Sequence, residues 1–93
     1  MKLCLYVVSG APNSIAARAN LASILSGVRN DSYSLEIVDC VQDPHRALAD
    51  GVFVTPTLLK ASPSPSQTIV GSLSDRGSVI AALGLESPEV ATA

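Results

Sequence analysis

The candidates for covalent or acid–base chemistry in this chain are few: two cysteines, Cys4 and Cys40, one histidine, His45, and the carboxylate pair Asp39 and Asp43. A catalytic thiol needs a base or cation in reach to hold it as thiolate. Here each cysteine lies inside an apolar segment, where a free thiol behaves as a small hydrophobe. If the two segments are parallel strands, Cys4 falls near the start of one and Cys40 at the end of the other. At ~3.3 Å per residue, that offset exceeds the ~7 Å Cα separation a disulfide tolerates. Both thiols are therefore expected reduced and buried. Their spacing fits no metal site, and no cofactor is expected. His45 follows Asp43-Pro44 beside Arg46 and reads as a solvated surface residue. Asp39 and Asp43 lack a third group or a pocket that would turn them into an acid–base pair. A single-cysteine thiol oxidoreductase is the remote catalytic alternative, and it would require an unusually acidic Cys4.

The elements that carry these residues follow from composition and periodicity. The chain of 93 residues is 47% hydrophobic and 15% charged, which suits one packed domain with an aliphatic core. Net charge is −2 and the six basic residues are scattered, so no stripe exists for nucleic acid. No apolar run reaches the ~18–20 residues that span a bilayer, and the opening segment lacks a signal-peptide pattern. A cytoplasmic protein is expected. Residues 3–8 form a continuous apolar run, as in a strand covered on both faces. Pro12, Asn13 and Ser14 are helix-starting types, and Ala17, Leu21, Ile24, Leu25 and Val28 recur at helical spacing. Residues 33–41 contain a second strand, with Leu35, Ile37 and Asp39 alternating against Glu36, Val38 and Cys40.

Asp43 as N-cap and Pro44 at the first helical position begin a short helix that Gly51 ends. Residues 57–60 and 67–70 flank Ser62-Pro63-Ser64-Pro65-Ser66 as a hairpin, and Ser74 with Asp75 caps a last helix. The domain is expected over residues 1–86, with a flexible tail at 87–93. Strand, helix, strand, helix, hairpin, helix is the thioredoxin-like order (βαβαββα). It predicts an α/β fold with a four-stranded mixed sheet, helices on both faces and a right-handed first crossover. In that fold Thr55-Pro56 occupies the substrate-facing proline loop, where a cis peptide would offer backbone groups to an extended partner segment. The turn that usually holds the redox cysteines reads Gly10-Ala11-Pro12-Asn13-Ser14 and has no thiol.

The chain resembles the KaiB family of circadian-clock proteins and their bacterial relatives. The matching blocks are Leu5-Tyr6-Val7, Pro12-Asn13-Ser14, Ile37-Val38-Asp39, Asp43-Pro44, Thr55-Pro56-Thr57-Leu58, Ile69-Val70-Gly71 and Leu73-Ser74-Asp75-Arg76. They keep the family's spacing over roughly residues 3–85. The resemblance implies a non-enzymatic protein that docks on the hexameric ATPase KaiC and then captures KaiA or displaces the sensor kinase SasA. It also implies two accessible folds: a tetrameric ground state (βαββααβ) and a monomeric thioredoxin-like binding state. The family uses the second strand and second helix to bind, which makes Glu36, Val38, Cys40, Asp43 and Asp50 the expected partner-binding residues. Clock members carry glycine where Ala82 stands and aspartate where Gly84 stands. Alanine favours a helix interior by ~1 kcal/mol over glycine, and Gly84 suits a left-handed C-terminal cap, with Leu85 folding back on Ile80. The thioredoxin-like monomer is therefore the expected resting state. The family's basic first helix is replaced here by Ala16, Ala17, Ala19 and Ser23, as in a divergent paralogue. The alternative is an adaptor of the same fold in stress or two-component signalling, with no clock role.

Overall fold

The structure is a computed structural model and describes residues 1–85; the expected tail at 87–93 lies outside the described residues. The elements are β1 (Lys2–Val7), α1 (Pro12–Leu25), a single 3-10 turn (Asn30–Ser32), β2 (Ser34–Asp39), α2 (Pro44–Ala49), β3 (Thr57–Ser62), β4 (Gln67–Val70) and α3 (Arg76–Leu83). The sheet runs β2-β1-β3-β4. β1 pairs parallel to β2, with Cys4 opposite Glu36 and Val7 opposite Asp39. The β1–β3 and β3–β4 pairs are antiparallel. This is the expected thioredoxin-like order with a mixed four-stranded sheet.

β1 is apolar from Leu3 to Val7, where both of its faces are covered. Leu3, Leu5 and Val7 point to one face and join Ala17, Leu21, Ile24 and Leu25 of α1, Leu58 of β3 and Val79 and Leu83 of α3. Cys4 and Tyr6 point to the other face and meet Val38, Ala47 and Val52 under α2. The helices thus split two and one across the sheet. The second face is the thinner one, since α2 contributes a single buried side chain, Ala47.

Local signals acted largely as read. Pro12 opens α1, but its N-cap is Ala11 and no side chain caps it. Ser14 instead joins two elements. It is buried in α1, and its Oγ accepts the Val8 N–H at 3.1 Å, which ties the end of β1 to the helix. Asp43 caps α2 through the Arg46 N–H, and Asp75 caps α3 through the Ser78 N–H at 3.2 Å. Gly84 adopts φ 73°, the left-handed geometry in which glycine has no Cβ penalty. The Gly84 N–H reaches the Ala81 carbonyl and the Leu85 N–H reaches the Ile80 carbonyl, the two bonds of a Schellman cap. Ile80 and Leu85 then rest together on the larger core.

One expectation needs correcting. Cys40 is half-buried, not fully enclosed, because it lies past the end of β2, where its N–H bonds the Val7 carbonyl. On β2 the better-buried residue is Val38, whereas Ile37 is 40% exposed, because α1 does not extend over this edge strand.

Candidate partner-binding surface

β2 is a sheet edge, and among the described residues no strand lies beside the outward backbone groups of Ser34–Asp39. Beside this edge, polar links pin α2 to the sheet. Glu36 and Arg46 form a bidentate pair, with Arg46 Nη2 2.7 Å from Oε1 and Nη1 2.8 Å from Oε2. The guanidinium hydrogen bonds hold the Glu36 carboxyl below its ordinary range, and the pairing keeps Arg46 firmly charged. At the other end of α2, the buried Tyr6 hydroxyl donates to the Asp50 carboxylate. Asp39 closes β2 by accepting the Val41 N–H at 2.8 Å and the Gln42 N–H at 3.4 Å. Hydrogen bonds from Ser9 and from those amides depress its carboxyl.

The five residues expected to bind a partner therefore separate. Glu36, Asp43 and Asp50 are exposed. Glu36 is committed to Arg46, Asp43 to its helix cap and Asp50 to Tyr6. Cys40 is half-buried, and Val38 is only 5% exposed beneath α2, where it supports the surface without forming it. His45 is exposed in the first turn of α2. Thr55–Pro56 is cis, with Pro56 buried and Thr55 half-buried. The Pro56 carbonyl accepts the Gly71 N–H at 2.9 Å, which ties this loop to the end of β4.

Both thiols are held toward their protonated form. Burial raises the Cys4 pKa first and the Glu36 charge adds to it, against the lowering effect of Arg46, whose Nη2 lies 3.9 Å from Sγ. Burial and then the Asp39 charge raise the Cys40 pKa. A hollow of about 370 Å³ beside Cys4 is lined by Lys2, Glu36, Arg46, Asp50 and Leu59 among others. Its acids already hold partners within the fold. Among the described residues no cluster of histidine, cysteine or carboxylate could hold a metal ion.

Sequence reading missed two apolar surfaces. One is a groove of about 570 Å³ between α1 and the β2 edge, with Ile15, Arg18 and Ile37 at its rim. The other is Phe53, Val54 and Val70 near the cis-proline loop, of which Phe53 is 83% exposed. A signal for the second was present: of three consecutive apolar residues in extended chain, Val52-Phe53-Val54, one core cannot bury all.

The arrangement defines a thioredoxin-like protein whose redox turn holds no cysteine and whose edge strand and short second helix face outward. Thioredoxin 1 of Thermosipho africanus superposes with a TM-score of 0.72 at 18% identity, over 90% of this chain and 91% of that one. The N-terminal domain of Synechococcus elongatus SasA superposes with a TM-score of 0.71 at 25% identity, over 89% and 82%. The chain belongs to the KaiB family: the family model described as KaiB domain matches residues 4–85. It is 40% identical over 88 residues to the circadian clock oscillator protein KaiB of Prochlorococcus marinus (strain MIT 9313), covering 95% of this chain and 74% of that relative. Against the KaiB of Cyanothece sp. (strain PCC 7425), identity is 40% over 91 residues, covering 98% and 87%.

Proposed function

We propose that this chain is a non-enzymatic protein-binding module of the clock type. It docks on a KaiC-like ATPase through the β2 edge and α2, and in that state it engages a KaiA-like protein or competes with a SasA-like histidine kinase. The observation that carries the reading is the open β2 edge beside α2. It presents Glu36, Asp43 and Asp50 on one side and the Ile15–Ile37 groove on the other, in a chain of the KaiB family. An unpaired strand supplies main-chain hydrogen bonds, and the flanking charges set partner choice and encounter rate. Both thiols have raised pKa values, so they offer little nucleophile at neutral pH. We propose a cytoplasmic monomer as the resting form.

The test must separate interface from fold. Charge reversal at Glu36 alone would also break its pair with Arg46, so the informative variant is the swap E36R/R46E, which keeps a pair but inverts its polarity. Binding of wild type and swap to the host's own KaiC-like ATPases is measured at physiological salt. Circular dichroism verifies the fold, and size-exclusion mass reports the oligomeric state. Loss of binding by a folded swap supports the docking face; unchanged binding refutes it. A second reading, an adaptor with no clock role, is favoured by the sparse charge on the outer face of α1, where Ala19, Ala22 and Ser23 are exposed and Arg18 is the one charged residue of the helix. Binding to a sensor kinase but to no KaiC-like ATPase would select it.

A further inference from the structure

We infer that the chain beyond Leu85 docks back on the far end of β3, where the Glu86 carboxylate pairs with the ammonium of Lys60. Lys60 is only 6% exposed, against the strong tendency of lysine to stay in water. It is the register partner of Leu3 and lies two residues after Leu58, so it stands on the face of β3 that carries the larger core. Among the described residues its side chain has no ion-pair partner. No fully buried side-chain nitrogen among them lacks a hydrogen bond, so the ammonium is open at its tip while its stem is enclosed. A cation held this way has lost most of its hydration and calls for a counter-charge.

Elimination narrows the source of that charge. The chain has eight acidic residues, and every one within residues 1–85 is committed elsewhere. Asp31 pairs with Arg29 and Glu36 with Arg46. Asp39 accepts the Val41 and Gln42 amides, Asp43 and Asp75 cap helices, and Asp50 accepts from Tyr6. Glu86 and Glu89 are left.

Topology selects Glu86. Val70 is the register partner of Thr57, so β4 ends beside the start of β3, away from Lys60. α3 follows that end and packs back over the same face, with Val79 and Leu83 joining Leu58 in the larger core. A helix returning this way carries its C-terminus toward the Lys60 end. Leu85 is anchored there, on the core and by its N–H to the Ile80 carbonyl. Glu86 follows it directly, one Cα step of ~3.8 Å from an anchored residue. Its effective concentration at Lys60 therefore exceeds that of Glu89, which is three residues further along, and of any carboxylate from another molecule. The pair straps the end of α3 to β3 and closes that end of the larger core.

The test is a double-mutant cycle on the full chain: Lys60→Met, Glu86→Gln and both together, with Glu89→Gln as control. Lys60→Met keeps the apolar stem and removes the charge. By urea unfolding, Glu86→Gln should lower the folding equilibrium at least tenfold in the wild-type background, because a nearly enclosed cation loses its partner. In the Lys60→Met background the same change should cost less than twofold. Glu89→Gln should change neither. Nuclear Overhauser contacts between the Lys60 Hε and Glu86 Hγ protons should appear in the wild type, a reading that stands even if Lys60→Met does not fold. The inference fails if those contacts are absent, if Glu86→Gln costs the same in both backgrounds, or if Glu89→Gln gives the coupled loss instead. It also fails if added inorganic phosphate stabilises the wild type but not Lys60→Met, which would make a solution anion the occupant. The KaiC-like docking reading stands or falls separately, since neither residue lies on β2 or α2.

Discussion

One substitution made at the two ends of α3 should act with opposite signs. Gly84 caps the helix at φ 73°, and a Cβ built there meets no atom within 4 Å. Gly84→Ala therefore creates no clash, and its cost is purely that of placing an L-residue in the left-handed region, about 1 kcal/mol. Gly77 lies inside the first turn of α3, and its Cβ would meet only Asp75 Oδ1 at 3.8 Å, an ordinary contact. Gly77→Ala gains helix propensity and restricts the unfolded chain, together worth about 0.5 kcal/mol of stabilisation. The two variants should differ by about 1.5 kcal/mol, roughly a tenfold ratio in folding equilibrium. At a urea slope of about 1 kcal/mol per molar, their midpoints separate by about 1.5 M, with wild type between them. The Leu85 amide, bonded to the Ile80 carbonyl, should lose hydrogen-exchange protection only in Gly84→Ala. A stabilised or unchanged Gly84→Ala would refute the reasoning. Extended backbone accepts alanine better than glycine, so that result would place this segment in a strand, as the alternative KaiB topology requires.

Further outcomes follow from the anchoring of α2 and from the thiols. Tyr6→Phe keeps the buried ring and removes only the donor to Asp50, so it should cost about 1 kcal/mol by urea unfolding and speed amide exchange across α2; an unchanged exchange pattern would show the bond carries nothing. Arg46 depresses the Glu36 carboxyl, so the folded pKa lies below the unfolded value, and the pair's contribution is present above roughly pH 4.3 and lost as pH falls through the folded pKa. The stability difference between wild type and Arg46→Met should accordingly be present at pH 7 and shrink on acidification, while Asp39 and Asp75, also depressed, weaken both proteins alike. A difference independent of pH would exclude the charge pair as its source. Maleimide labelling at pH 7 should be slow at both cysteines and slower at buried Cys4 than at half-buried Cys40; rapid labelling of Cys4 would reopen the thiol reading.

The parts of the fold legible in sequence were those fixed by short-range chemistry. The unbroken apolar run of β1, the Asp43-Pro44 and Asp75 helix starts, the paired prolines of the hairpin loop and Gly84 each constrain the chain within a few residues, and each lies where its chemistry requires. The site was less legible because its bonds join positions far apart along the chain. Arg46 reaches Glu36 ten residues back, and Asp50 reaches Tyr6 across 44, pairings that no local pattern encodes. Periodicity put Glu36, Val38 and Cys40 on one face of β2, which is correct for Glu36 and Val38, while Cys40 follows just past the end of the strand. It could not say that α2 covers Val38 and leaves Glu36 outside.

The length of α2 links these points to function. A helix of six residues is far below what holds itself together in water, so its helicity rests on tertiary anchors. Apolar burial supplies only Ala47. The remaining anchors are polar: the Asp43 cap, the Glu36–Arg46 pair and the Tyr6–Asp50 bond. Arg46 and Asp50 are four residues apart on one face of the helix, so losing one loosens the backbone that presents the other. Tyr6→Phe combined with Arg46→Met should then open α2 by more than the two separate effects add to. The stretch proposed to meet the partner is thus held by links the partner itself can replace, and segments of this kind open at the least cost in free energy.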